Sequence, residues 1–70
     1  MIRVAVSGAS GRMGREVVLA VLDAPDMQVT AAFDTVRIGE DAGTVAGSAP
    51  CGVPIAPWPD PATLADIADV

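Results

Sequence analysis

The residues best suited to chemistry lie in a glycine-rich loop near the amino terminus, Gly8-Ala9-Ser10-Gly11-Arg12-Met13-Gly14, with the pattern G-x-x-G-x-x-G. Gly8 permits a sharp turn, Gly11 has no side chain to keep a phosphate away from the main chain, and Gly14 permits close packing of a following helix. The amino-terminal end of such a helix presents free N–H groups and a partial positive charge. The glycine pattern alone fits an ordinary tight turn from a strand into a helix. With a buried strand before it, an amphipathic helix after it and an acid farther along the chain, it predicts a site for the pyrophosphate of a dinucleotide.

An acidic residue, Asp34, follows Gly14 by 20 positions, at the end of the next apolar run. The dinucleotide-binding fingerprint places an acid at about this distance, where it accepts hydrogen bonds from the adenosine ribose. A carboxylate at this point favours NAD, because it would repel the 2′-phosphate of NADP. Arg37 could bind that phosphate if its loop folds back, and is otherwise a solvated loop residue. The expected cofactor is NAD or NADP, with NAD favoured.

Three elements position these residues. Ile2–Val6 is short, apolar and β-branched, which predicts a strand buried on both faces. Met27–Phe33 predicts a second strand, with one face less buried because polar residues alternate with apolar ones. Between them, Arg12–Ala24 has helical periodicity and ends before Pro25. The positions expected to face the core are Met13, Val17, Ala20, Val21 and Ala24, with Val18 and Leu22 widening the apolar face.

The rest of the chain continues the alternation. The predicted elements are a helical turn at Glu40–Ala46, a short strand at Gly52–Ala56, a helix at Ala62–Asp66 with Asp60 as cap and Pro61 at its first position, and an approach to a fourth strand at Ile67–Val70. Strands alternating with helices indicate a parallel sheet. The predicted fold class is α/β, an incomplete Rossmann-type NAD(P)-binding domain in which residues 1–70 form the amino-terminal part.

The composition restricts the function further. A net charge of −5 argues against non-specific binding of nucleic acid, and no apolar stretch approaches the length that spans a bilayer. Because the chain has one cysteine and no histidine, we expect no zinc site and no disulfide within it. Cys51 has no histidine to activate it as a nucleophile. With no export signal in the sequence, these features predict a cytoplasmic protein.

Trp58, which lies between two prolines, is expected to anchor its loop by packing, with stacking on adenine as the alternative.

The chain resembles one enzyme family through several motifs. Ile2–Val6 followed by the glycine loop and Arg15 is similar to the amino terminus of dihydrodipicolinate reductases, and the Gly-Arg-Met-Gly-Arg run is quite specific to them. The segment Ala31-Ala32-Phe33-Asp34 resembles the family's strand that ends in an acid. Gly39-Glu40-Asp41-Ala42-Gly43 resembles the family's Gly-x-Asp-x-Gly segment. Asp41 could therefore serve as the acid of that segment instead of having a surface or capping role.

The resemblance implies an NAD(P)H-dependent reductase of lysine and diaminopimelate biosynthesis, which converts 4-hydroxy-tetrahydrodipicolinate, a dicarboxylate, to tetrahydrodipicolinate. It implies that the cofactor contacts fall on Gly8, Ala9, Ser10, Gly11, Arg12, Met13 and Asp34. Thr35 stands where many members have an arginine that helps to hold the NADP phosphate, which agrees with the preference for NAD. It also implies a homotetramer for the full-length protein, formed largely through the substrate domain.

The family's catalytic residues have no counterpart in this sequence. They lie in a His-His…Lys segment and a Ser-Gly-Thr stretch of a substrate domain, and this chain contains no histidine and no lysine. We therefore expect no catalytic residue, no metal ligand and no turnover from the 70-residue chain alone. Two alternatives remain at this point: another NAD(P)-dependent reductase with the same loop pattern, of the atypical short-chain or semialdehyde type, or a truncated, non-catalytic nucleotide-binding module.

Overall fold

A three-stranded parallel sheet with flanking helices forms the fold. The computed structural model describes residues 1–59 and 61–70, and the elements in them are β1 (Ile2–Ser7), α1 (Arg12–Asp23), β2 (Met27–Phe33), α2 (Ala42–Val45), β3 (Ile55–Ala56) and α3 (Pro61–Ile67). The strands lie in the order β1-β2-β3, and both neighbouring pairs are parallel. Parallel strands joined through helices are the architecture of the Rossmann-type domain. The predicted fold class is confirmed.

Helix α1 covers one face of the sheet, and fewer of its residues are buried there than the sequence predicts. Gly14, Val18 and Val21 are buried, and they pack on a core to which both β1 and β2 contribute valines. The predicted inward positions Met13 and Val17 are instead exposed, at 79% and 44%. The two other exposed members of the predicted face are Ala20 and Leu22. The predicted core face is therefore confirmed at Val18 and Val21 and wrong at the four exposed positions, because the close contact at Gly14 sets the rotation of the helix.

The other face of the sheet is organised by an irregularity in β2. The pairing shifts between Val4 and Ala5, so that Thr30 is the extra residue of β2 at this point. The Thr30 hydroxyl donates to the carbonyl of Ile67 over 2.6 Å, which ties β2 to the end of α3. A β-bulge redirects side chains in this way where a regular strand would not. This second face is less covered than the first, since Ala5 is only half-buried. The prediction that β1 is buried on both faces is therefore too strong.

The last residues of the chain join the free edge of β1. The N–H groups of Asp69 and Val70 donate to the carbonyl of Arg3 over 2.7 and 3.1 Å, and the N–H of Ala5 donates to the carbonyl of Val70 over 2.8 Å. The Arg3 guanidinium meets both oxygens of the Asp69 carboxylate, over 3.3 and 3.1 Å, and also donates to the carbonyl of Asp66. These bonds agree with the predicted approach to a fourth strand.

Three shorter elements differ in extent from the predictions. The third strand has two residues instead of five, because residues 52–54 pair with the start of α2 and its N-cap and not with β2. The N–H of Ala42 donates to the carbonyl of Val53. The helical turn is confined to Ala42–Val45. Helix α3 begins at Pro61 as predicted, while the predicted cap, Asp60, lies outside the described residues. Among the described residues, no helix has the length and apolar character needed to cross a bilayer.

Candidate functional site

The glycine-rich loop connects the end of β1 to the start of α1 through a tight backbone turn. Gly8 has a φ of +64°, which side-chain-bearing residues rarely adopt, and its carbonyl accepts a hydrogen bond from the N–H of Gly11 over 2.9 Å. The same carbonyl lies only 1.9 Å from where a Cβ on Gly14 would be. Any side chain at Gly14 would therefore push the helix away from the loop.

The first turn of α1 offers unpaired hydrogen-bond donors. Gly11 is the N-cap and supplies no side-chain cap, and the first helical bond runs from the N–H of Arg15 to the carbonyl of Gly11 over 2.9 Å. In the part of the chain that the structure describes, the N–H groups of Arg12, Met13 and Gly14 have no protein acceptor. Such a helix start attracts anions, and phosphates in particular.

Asp34 lies directly beside the loop and bonds to it. Its Oδ2 accepts the N–H of Ser10 over 3.0 Å and also the Ser10 hydroxyl, while its Oδ1 accepts the N–H of Thr35 over 2.6 Å. These bonds, with that of the Ser10 hydroxyl the strongest, lower the pKa of Asp34 to about 2. The carboxylate is therefore ionised at neutral pH and fixed in orientation at the carboxyl end of the sheet.

The structure places all the predicted cofactor residues at this one edge, but their side chains differ in availability. Ala9 is fully buried and its N–H donates to the carbonyl of Phe33 over 3.1 Å, so its side chain serves the core. The side chains of Arg12 and Met13 are exposed. Ser10 and Asp34 are half-buried and contact each other.

Arg37 belongs to the loop after Asp34 and has a carboxylate neighbour of its own. Its backbone is left-handed, with a φ of 58°, and its guanidinium lies 3.7 Å from the Glu40 carboxylate. Both side chains are more than half exposed. The structure therefore matches the interpretation of Arg37 as a solvated loop residue more closely than that of a phosphate ligand.

Asp41 organises the loop between β2 and β3. It is the N-cap of α2, accepting the N–H of Thr44 over 3.0 Å, and it also accepts the N–H groups of Cys51 and Gly52 over 3.0 and 2.8 Å. These donors, with Thr44 the first, lower the pKa of Asp41 to about 2. The Gly-Glu-Asp-Ala-Gly segment thus has a structural explanation here, since one carboxylate closes the loop from Asp41 to Gly52. The signal available in the sequence was a capping acid three residues before Thr44.

The remaining candidates have packing roles. The Trp58 ring stacks on Phe33, with centroids 5.4 Å apart, which supports its interpretation as an anchor, although 53% of the residue remains exposed. Cys51 is a half-buried free thiol. Among the described residues, no group of three or more histidine, cysteine, aspartate or glutamate side chains is arranged to hold a metal ion.

Comparison with known proteins gives consistent results. A family model described as "Dihydrodipicolinate reductase, N-terminus" matches residues 2–70. Relatives named 4-hydroxy-tetrahydrodipicolinate reductase include one from Desulfitobacterium hafniense, 52% identical over 54 residues, one from Gloeobacter violaceus, 56% over 52, and one from Archaeoglobus fulgidus, 55% over 53. The alignments cover 77%, 74% and 76% of this chain, but only 20%, 19% and 20% of the relatives. The chain therefore spans about a fifth of the length of the relatives it matches.

Proposed function

Because this chain belongs to the dihydrodipicolinate reductase family, we propose that it is the nucleotide-binding portion of an NAD(P)H-dependent 4-hydroxy-tetrahydrodipicolinate reductase. The observation that carries the proposal is that the ionised Asp34 lies beside the start of α1, where three N–H groups have no acceptor among the described residues. The first suits a pyrophosphate, and the second suits the hydroxyls of a ribose.

The loop fits a dinucleotide sterically as well as electrostatically. Gly11 presents no side chain, and a Cβ at this position would lie 3.3 Å from the Gly8 carbonyl, on the loop itself. The N–H groups of Arg12, Met13 and Gly14 would hold the pyrophosphate, and the exposed Arg12 side chain would add positive charge. In this arrangement the main chain binds the phosphates and the side chain of Asp34 binds the ribose.

The chain's own contribution to the reaction is binding and orientation. A bound NADH or NADPH supplies the hydride that reduces the dicarboxylate substrate. Gly8, Gly11 and the first turn of α1 fix the phosphates, and Asp34 fixes the adenosine end. Catalytic residues for the substrate are not among the residues of this chain, and we place the whole protein in the cytoplasm as a homotetramer by analogy with the family.

Cofactor choice follows from charge. The Asp34 carboxylate accepts hydroxyl donors and repels a 2′-phosphate, and Thr35 next to it carries no positive charge. Arg37 has the Glu40 carboxylate as a neighbour at 3.7 Å. We propose that NADH binds more tightly than NADPH.

Fluorescence titration of NADH into the purified chain, with circular dichroism to monitor folding, tests the proposal. Asp34→Asn keeps the side chain's shape and removes its charge, and is expected to weaken NADH binding about tenfold, the typical loss for a charge-assisted hydrogen bond. Asp23→Asn, at the far end of α1, is the matched control and should bind as the parent does. A folded chain that shows no response to NADH would refute the nucleotide site and favour a non-binding module.

A further inference from the structure

The Asp34 carboxylate is already partly occupied by its own protein. Oδ2 accepts two donors from Ser10, the N–H and the hydroxyl. Oδ1 accepts the N–H of Thr35 over 2.6 Å, and the Thr35 hydroxyl is farther away, at 3.4 Å. The two oxygens of an ionised carboxylate provide about four acceptor positions in total. Oδ2 is therefore saturated by Ser10, whereas Oδ1 has one short bond, from the Thr35 N–H, and a long contact with the Thr35 hydroxyl that a stronger donor could replace. The Val36 N–H adds a weaker bond to the same carboxylate.

This distribution gives the carboxylate a defined direction. With Oδ2 held by two bonds to the loop, rotation of the carboxylate about its last torsion would break both. The sequence separation of 24 residues makes the pair a tertiary contact between the loop and the end of β2. The N–H bond depends on the backbone alone, whereas the hydroxyl bond depends on the identity of residue 10.

We propose that Ser10 is a specificity-determining residue that acts through Asp34, holding Oδ2 so that Oδ1 and its charge meet the adenosine ribose. The inference rests on the proposed nucleotide-binding function and deepens it. A ribose hydroxyl donates to Oδ1 in place of the long contact with the Thr35 hydroxyl, whereas a 2′-phosphate meets a fixed negative charge. Ser10 is thus a positioning residue for cofactor discrimination, in addition to its place in the phosphate loop.

The test compares the dissociation constants of NADH and NADPH in Ser10→Ala, Ser10→Thr and the unaltered chain. Ser10→Ala removes one of the two bonds that hold Oδ2 and keeps the Ser10 N–H bond, so the carboxylate is held less firmly and the NADPH-to-NADH ratio of dissociation constants should fall several-fold. Ser10→Thr keeps a hydroxyl and should retain the parent ratio. Ser48→Ala, which removes an exposed hydroxyl from the loop after α2, is the control and should leave both constants unchanged.

A merely structural role for Ser10 predicts a different result, because a loosened loop would weaken both cofactors by the same factor and leave the ratio constant. That result, in a variant whose circular dichroism matches the parent, would overturn the inference. Absence of NADH binding to the parent would instead refute the proposed function.

Hydrogen exchange tests the inference without a substitution. The Ser10 amide should stay protected from exchange when NADH binds, and loss of its protection would contradict the inference.

Discussion

Gly14→Ala should destabilise the fold more than any other single-methyl addition to the glycine loop. The new Cβ would lie 1.9 Å from the Gly8 carbonyl oxygen, 2.6 Å from its carbon and 2.9 Å from the Cα of Ala9. All three are backbone atoms, so no side-chain rotation relieves the contact. Since real Cβ atoms are essentially never found closer than 3.0 Å to such neighbours, the helix and the loop must separate by about 1 Å or more.

Two opposing contributions set the size of the loss in folding free energy. Alanine in a helix interior is favoured over glycine by about 1 kcal/mol. Overpacking of a tight site costs about 1–3 kcal/mol, and a clash with immobile backbone lies at or above the upper end. The net loss is therefore about 2 kcal/mol or more, which for a chain of this size lowers the melting temperature by about 8–16 °C.

Thermal unfolding followed by circular dichroism measures this loss. Gly11→Ala is the matched control, because its Cβ would lie 3.3 Å from the same Gly8 carbonyl and its φ of −77° is ordinary. We expect a cost below about 1 kcal/mol there, the value of a poorer N-cap, but weaker NADH binding, since the methyl group enters the phosphate cradle. If Gly14→Ala melts within about 2 °C of the parent, the packing argument is refuted.

Three further predictions concern other parts of the chain. Asp41→Asn should lower the melting temperature at pH 7 more than Asp23→Asn does. The pKa of Asp41 is lowered to about 2 in the folded state, from an ordinary value of 3.8, so its contribution to stability is fully present above about pH 4 and is lost as the pH falls towards 2. The free energy of unfolding of Asp41→Asn should therefore fall less steeply with decreasing pH than that of the parent. Equal slopes for the two proteins would contradict this prediction. Trp58→Ala should cost about 1 kcal/mol through loss of stacking on Phe33, measured by urea unfolding; Trp58→Phe should restore most of it, and equal stability of all three would count against the anchor. The purified chain should show no reductase turnover with NADH and substrate, and measurable turnover free of full-length enzyme would disprove that expectation.

The sequence predicts the site's backbone well because glycine requirements are local. The spacing of Gly8, Gly11 and Gly14 fixes a turn, a close approach and a packing contact, and the structure shows the steric reason for the first and last of these. The placement of Asp34 beside the loop also follows from local rules, since parallel strands end at the same edge of a sheet.

The details that the sequence does not predict arise from tertiary contacts. Apolar residues lie on more than one side of α1, so periodicity does not identify the inward stripe, and the rotation that exposes Met13 and Val17 depends on the backbone contact at Gly14. The fingerprint spacing predicts an acid near the loop, but it does not predict that the Ser10 hydroxyl donates to Asp34, 24 residues away. The length of β3 likewise depends on where residues 52–54 find their hydrogen-bond partners.

The position of Arg3 has a consequence for the order in which the chain assembles. Its N–H and guanidinium both bond to Asp69, which follows 66 residues later, whereas its neighbour in β2 follows after only 25. At a synthesis rate of about 5–20 residues per second, the outer edge of β1 waits about 3–13 s on the ribosome for its partner. An uncovered strand edge can pair with other chains during that interval. Strand β1 is therefore made before the segment that covers its outer edge, and that edge is where we expect nascent chains to need protection.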